Sequence, residues 1–393
     1  MKSQTANRLL FMAIAFLFGL LLVFILSVAG NKSKGPLQST IDRIANGVLS
    51  LEDEYMLSQR SHQRKEKLAG FDAMIEDIET LKHPKVILLG ASDNISQESF
   101  ENIINLEDSL NLTFQLIHIY NAWGSKEEHK FPELSVKTIL KLGSVPVITW
   151  EPWLSAFDAE EYPGIPAPEK RDNGGLASIA GGTYDKYITE WATAAKNIGK
   201  PIFIRLAHEM NDPYRYPWGP QNNSPEDFKR AWKHVHFIFD KVGANNVIWI
   251  WAPHPSYKYF DAYYPGDAYV DYVGIGVLNF GTATTWSKWW TFDQLFGSQY
   301  EKLNQFHKPI MITEFGSLNV GGNRPQWFAN ALKGIAEKYT TIKSVLFFHY
   351  PADNTITNKT VSWYFIDDKK TKEAIIRQIN LWPNSLRYAT KPR

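Results

Sequence analysis

Eight short apolar or aromatic runs, separated by longer segments of helical spacing, follow Pro84 and predict an α/β protein built on a (β/α)8 TIM barrel. Two further observations support this class. The runs end in polar, aromatic or acidic residues, where such a barrel carries its chemistry, and the Gly-rich first turn of a doubly wound sheet is missing. A transmembrane helix and a short helical segment are expected ahead of the barrel. The expected divisions are an anchor over 1–30, linker and helices over 31–83, the barrel over 84–380, and a tail over 381–393.

The anchor comes first in the chain. Leu9–Ala29 holds 21 residues without a charge, enough at about 1.5 Å each to span roughly 30 Å of hydrocarbon. Lys2 and Arg8 precede it, so the positive-inside rule places everything after Gly30 outside the cytoplasm. The segment exceeds the apolar core of a signal peptide, although Ser27-Val28-Ala29 ends like a cleavage site, which would release the remainder as a secreted protein. Residues 40–82 have helical spacing at Ile41, Ile44, Val48 and Leu51 and again at Leu68, Phe71, Met74, Ile75 and Ile78. The stretch 59–67, QRSHQRKEK, reads as a solvated face or loop without a binding role.

The expected strands are Val86–Ala91, Thr113–Tyr120, Val145–Trp150, Pro201–Ala207, Val247–Ala252, Val270–Val277, Pro309–Thr313 and Ser344–His349. Two intervening helices have clear boundaries. Thr183–Ile198 aligns Tyr184, Tyr187, Ile188, Trp191 and Ala195 on one face and stops at Gly199. In Ser224–Val242, Ser224 suits the N-cap, Pro225 the first turn and Gly243 the stop.

Composition narrows the function. Forty-two Lys and Arg nearly cancel 41 Asp and Glu, so the chain lacks the basic excess that nucleic-acid binding needs. The absence of cysteine excludes disulfides, thiolate metal sites and cysteine nucleophiles. No H-E-x-x-H or nucleophile elbow occurs, and neither metal nor cofactor is expected. The excess lies in aromatics: 14 Trp, 18 Tyr and 23 Phe. Aromatic faces stack on the C–H faces of sugars, which makes a carbohydrate the first partner to consider; an aromatic-rich core is the competing explanation.

The expected strand ends supply the site. They carry Tyr120 and Trp123; Trp150, Glu151 and Trp153; His208, Glu209 and Asn211; Asn279; and Glu314. Strands four and seven stand on opposite sides of the mouth, so Glu209 and Glu314 can converge on one bond. Glycoside hydrolysis requires such a pair, one carboxyl kept protonated and the other ionised. Trp123, Trp150, Trp153 and Trp218 are expected to line the same cleft. Trp286, Trp289 and Trp290, on the loop after strand six, are candidates for stacking platforms.

The motifs RLAHEMN and YPWG within Arg205–Gly219, followed by PIMITEFG at Pro309–Gly316, resemble glycoside hydrolase family 26, which includes β-mannanases. YNAWG at Tyr120–Gly124, ITWEPW at Ile148–Trp153 and YPGDAYVDYVG at Tyr264–Gly274 extend the likeness. The resemblance implies a retaining double displacement on a β-linked polysaccharide, with Glu209 as acid/base and Glu314 as nucleophile. It also implies that His208 and Trp218 line the subsite of the reacting sugar. One region departs: where mannanases of the family carry an aspartate and a tyrosine after strand six, the chain reads GIGVLNFG, with Gly276 and Leu278 near those positions. A β-glucan or an exopolysaccharide therefore stands beside β-mannan as substrate. The non-enzymatic alternative is a membrane-tethered, catalytically silent glycan-binding barrel serving polysaccharide synthesis or export.

Overall fold

Eight parallel strands close on themselves in sequence order, so each pairs with its neighbours in the chain and β1 pairs with β8. They are β1 (Leu88–Ser92), β2 (Leu116–Ala122), β3 (Val145–Glu151), β4 (Ile202–Leu206), β5 (Val247–Trp251), β6 (Tyr272–Asn279), β7 (Ile310–Ser317) and β8 (Ile342–Phe348). The structure, a computed structural model, describes residues 18–19, 58, 60–93, 99–355 and 359–387. Leu9–Ala29 lies outside the described residues except for Phe18 and Gly19, which are helical. No helix among the described residues is long and apolar enough to cross a membrane.

Alternation along the strands sorts side chains into two layers. One parity, including Ile117, Ile119, Ile148, Trp150, Ile204, Trp249, Trp251, Ile275, Ile312 and Phe347, packs outward among the helices. The other parity fills the barrel. Its lower part is apolar: Leu88, Leu116, Val145, Val147, Phe203, Ile248, Tyr272, Met311 and Leu346 form one buried cluster. Above it, His118, Thr149, Arg205 and Thr313 are all buried and joined by hydrogen bonds. The site therefore stands on a polar floor inside the barrel.

The surrounding helices follow local rules. The helix Asp185–Ile198 ends at Gly199 (φ 65°), in the left-handed conformation that glycine adopts without a Cβ penalty. In Pro225–Val242, Ser224 accepts from the Asp227 amide while the Asp227 side chain accepts from Ser224, a complete capping box.

Three sequence expectations change. Glu314 was placed at the end of its strand, but β7 continues to Ser317, and irregular register on both sides of the strand accompanies the inward turn of Glu314. The stretch 59–67 is not merely solvated. Residues 60–68 are helical, and Arg64, only 4% exposed, runs beneath the barrel. It donates to the carbonyls of Leu142 and Phe114 and to Ser144, and it pairs with buried Glu107. Leu68, Phe71, Ile75 and Leu81 then join the apolar cluster at the strand starts, and the Tyr272 hydroxyl donates to the Leu81 carbonyl. Residues from Arg64 to Leu81 thus pack with the barrel. The expected tail is also partly integral: Trp382 is buried with its indole N–H on Leu332, and the Leu386 carbonyl accepts from Ile87.

Removing Arg64 would leave Glu107 buried without its counter-charge. Arg64→Ala is expected to lower stability by about 3–5 kcal/mol, measured by urea unfolding. A change under about 1 kcal/mol would show that this helix is not integral to the barrel.

Candidate active site

Arg205 organises the centre of the mouth. Its side chain is 1% exposed and uses all three nitrogens: Nε donates to Thr149 Oγ1 (2.7 Å), one terminal nitrogen to Thr313 Oγ1 (2.9 Å), and the other to Glu314 Oε1 (2.7 Å) and the Tyr120 hydroxyl (3.2 Å). Tyr120 in turn donates to Glu314 Oε1 at 2.8 Å. Burial alone would raise the Glu314 carboxyl. The charge and hydrogen bond of Arg205, the bond from Tyr120 and the charge of Arg215 outweigh it and hold the group below the usual carboxylate range. Glu314 is thus kept ionised.

Glu209 is built for the opposite state. It lies in the turn after β4, where Ala207 (φ 42°) and Glu209 (φ 54°) both adopt left-handed backbone that costs non-glycine residues energy. The Glu209 amide donates to the Ala252 carbonyl at 2.7 Å, which pins this turn to the end of β5. Its side chain is buried, and Oε2 has no hydrogen-bond partner. Burial first, and the charge of Glu314 second, push its carboxyl up to about 8.

The two carboxylates face one point. Gly276 of β6 pairs across the sheet with Glu314. An atom placed where its Cβ would be lies 3.7 Å from Glu314 Oε2 and 3.9 Å from Glu209 Oε1. The departure noted in the sequence is therefore an opening beside the carboxylate pair. The hydroxyl on the nucleophile candidate comes instead from Tyr120, on β2. Leu278 packs outside this point, against the cluster of Leu318, Phe348, Val361 and Trp363.

A second wall consists of His208, Tyr216, Trp218, Trp153 and Glu151. His208 Nε2 shares a hydrogen bond with the Tyr216 hydroxyl (2.9 Å), and its Nδ1 lies 3.9 Å from Glu151 Oε1. Burial, then the charge of Arg205, holds this imidazole neutral. The Trp218 indole donates to the His208 carbonyl (2.7 Å), stacks on Tyr216 (4.6 Å, 11°) and meets Trp153 edge-on (5.3 Å). Trp153 donates to Glu151 Oε2 at 3.2 Å, and burial pushes the Glu151 carboxyl up.

Four candidate binding residues serve the framework instead. Trp123 and Trp150 are wholly buried among Tyr187, Trp191 and each other, between barrel and helices. The reason is parity: Thr149 and Glu151 face inward, so Trp150 faces outward. Asn211 accepts from the His254 amide (2.7 Å) and donates to the His254 and Tyr257 carbonyls (3.1 and 3.4 Å), tying two loops together. Asn279 is fully buried, donating to Ser317 and accepting from the amides of Gly281 and Trp290. Trp286 is 69% exposed, outside the buried aromatic network.

Three other groups complete the site. Arg215 lies over the Tyr216 ring (5.4 Å) and lends positive charge to both glutamates. Tyr350, after β8, meets Tyr120 edge-on at 6.4 Å. His254, after β5, places Nε2 4.0 Å from Glu209 Oε1. Tyr216 belongs to the YPWG motif, and His254 and Tyr350 stand at strand ends, so their positions were visible in the sequence although their partners were not. Glu209, Asp212 and His254 bring potential metal-donor atoms within 4.8 Å of one another. A cation there would compete with the proton on Glu209.

Residues 178–320 match the family described as Glycosyl hydrolase family 26. The chain is 31% identical over 280 residues to endoglucanase H of Acetivibrio thermocellus, covering 68% of this chain and 28% of that protein. It is 27% identical over 173 residues to a mannan endo-1,4-beta-mannosidase of Bacillus subtilis, covering 42% and 41%. The chain thus spans less than half the length of these curated relatives. The solved structure of a GH26 beta-mannanase from Bacteroides ovatus superposes with a TM-score of 0.56 at 17% identity, over 77% of this chain and 90% of that one, and shares the fold.

The opposed environments predict distinct titrations. In carboxyl 13C NMR, Glu314 is expected to be ionised at pH 5, whereas Glu209 should hold its proton until about pH 8. Glu314→Gln removes a negative neighbour and should lower the Glu209 value. An unchanged or raised value would break the proposed coupling.

Proposed function

We propose that the glycosyl hydrolase family 26 domain carried by this chain is an endo-acting, retaining β-glycoside hydrolase. The observation that carries the reading is the pair of glutamates facing the space beside Gly276, one held down by Arg205 and Tyr120 and the other pushed up by burial. A structural ion pair would ionise both partners, whereas here a carboxylate beside Arg205 faces a carboxyl with a raised pKa.

The roles follow from the environments. Glu314, ionised and oriented by Arg205 and Tyr120, attacks the anomeric carbon. Glu209 delivers its proton to the departing glycosidic oxygen. The ester to Glu314 removes that residue's negative charge, which lowers the cost of ionising Glu209. Glu209, now a carboxylate, takes a proton from water, whose oxygen displaces Glu314. Retention requires the two carboxyl groups to lie about 5–5.5 Å apart. Arg205 is a positioning residue, because it acts through Glu314. His208, Tyr216 and Trp218 flank the reacting sugar, with Glu151 and Trp153 behind them.

The substrate class is a β-linked polysaccharide. The open space at Gly276 and the apolar Leu278 favour a β-glucan over a β-mannan, in keeping with the name of the 31% identical relative. We further propose that Leu9–Ala29 anchors the chain in a membrane with the barrel on the extracytoplasmic side. Protease added from that side should then degrade the barrel of the full-length chain, whereas protection of the barrel would reverse the topology.

The mechanism separates the two glutamates by experiment. Glu314→Ala should abolish turnover of every substrate. Glu209→Ala should lower polysaccharide cleavage by roughly 10²–10⁴-fold, yet still release an activated leaving group in a burst followed by a slow phase. Azide should accelerate that slow phase and yield a β-glycosyl azide. An α-azide would exclude retention, and wild-type activity in Glu314→Ala would exclude the site. Sugar binding without cleavage of any β-glycan would favour the silent binding barrel.

A further inference from the structure

The loop after β4 carries a cation to which the proposed mechanism gives no step. Arg215 is exposed, and its guanidinium carbon lies 5.4 Å from the centre of the Tyr216 ring. That ring stacks on Trp218 and its hydroxyl bonds to His208, so the cation rests on the wall beside the carboxylate pair. Its charge acts on Glu151 of β3, on His208 and Glu209 after β4, on His254 after β5 and on Glu314 of β7. Asp353, on the loop after β8, acts on Arg215 in turn. Groups from both sides of the barrel therefore surround one guanidinium, which places it over the mouth.

This cation has no contacting partner. Among the described residues, Arg215 forms neither a hydrogen bond nor an ion pair. The acidic groups around it are engaged elsewhere. Glu314 pairs with Arg205 at 2.7 Å, Asp353 accepts from the Trp363 indole at 2.9 Å, and burial pushes the carboxyls of Glu209 and Glu151 up. Arg205 thus matches the charge of Glu314, and the charge of Arg215 is left over. A guanidinium presents its N–H groups as a fork that a carboxylate accepts two at a time. The whole chain carries a formal charge of only +1, so any preference for an acidic polymer has to arise locally.

We propose that Arg215 receives a carboxylate borne by the substrate, so that the polysaccharide cleaved here is an acidic β-glycan containing uronic acid units. This deepens the hydrolase reading above and rests on it. The hydroxyls of a neutral glycan leave the fork half used, whereas the two ionised oxygens of a uronate complete it. Without the cation, a uronate entering the mouth would meet Glu314 as a like charge and be disfavoured. Arg215 therefore acts in specificity: no bond to the bound carboxylate forms or breaks during cleavage.

The test uses the full-length chain and matched polymers. A soluble β-glucan is oxidised at C6 in part of its units, and a portion of that sample is reduced back to the neutral polymer. A β-mannan pair is prepared in the same way. The wild-type chain should favour the acidic member of a pair in kcat/KM, and added salt should erase the preference. Arg215→Gln should lower the ratio of acidic to neutral kcat/KM about tenfold or more, since any general loss of activity cancels in the ratio. Arg215→Lys keeps the charge without the fork and should hold an intermediate ratio. Affinity electrophoresis through gels containing each polymer reads binding without turnover, so a variant too slow to assay is still scored. An unchanged ratio and unchanged retention in Arg215→Gln, or a wild-type chain that favours the neutral polymers, would overturn the inference. A wild-type chain inactive on all of the polymers would overturn the hydrolase reading. In that case, retention by the acidic polymers that Arg215→Gln abolishes would uphold the carboxylate site, and retention that it leaves intact would overturn both.

Discussion

The site depends on a single guanidinium inside the barrel. Arg205 is held by Thr149 from the neighbouring β3 and by Thr313 from β7 across the barrel, and presents its remaining terminal nitrogen to Glu314 and Tyr120. A buried cation of this kind is costly unless nearly every N–H finds a partner. Its presence keeps Glu314 ionised despite burial. That charge in turn helps keep Glu209 protonated. One side chain on β4 therefore sets the protonation asymmetry on which the proposed chemistry rests.

The barrel makes this affordable by stacking its interior in layers. Apolar side chains fill the strand starts and are sealed from below by Leu68, Phe71, Ile75 and Leu81. The polar floor of His118, Thr149, Arg205 and Thr313 sits above that apolar layer, and the carboxylates sit above the floor. Both carboxylate side chains are largely buried, so the Coulomb interaction between them is weakly screened. The left-handed backbone at Ala207 and Glu209 belongs to the same construction. It turns Glu209 toward Gly276 at a local cost offset by the bond from its amide to Ala252.

Aromatic residues divide between two uses that composition does not separate. Trp123 and Trp150 fill the layer between strands and helices, whereas Trp153, Tyr216 and Trp218 support His208 and Glu151. Strand alternation distinguishes Trp150 from Glu151, since adjacent residues cannot both face inward. That reading was available in the sequence once Glu151 was assigned to the mouth. No comparable rule distinguishes Trp123 or Trp153, which lie in turns. Asn211 and Asn279 illustrate the same limit: a polar residue at a strand end is equally suited to hold a sugar or a loop, and here both hold loops.

Local rules determined the strand count, the capped helices, and the positions of Glu209 and Glu314, because hydrophobic period, cap chemistry and motif order act over a few residues. The family resemblance marked Gly276 as standing near an expected polar residue, without revealing what the vacancy adjoins. Only the tertiary structure decided that Tyr120 of β2 donates to Glu314 of β7, that Arg64 passes beneath the barrel to Glu107, and that Asn211 joins two loops. Each of these pairs residues separated by 43 or more positions. Their selection depends on barrel closure and on the requirement that buried charges and amides find partners in three dimensions, neither of which leaves a periodic trace in the chain.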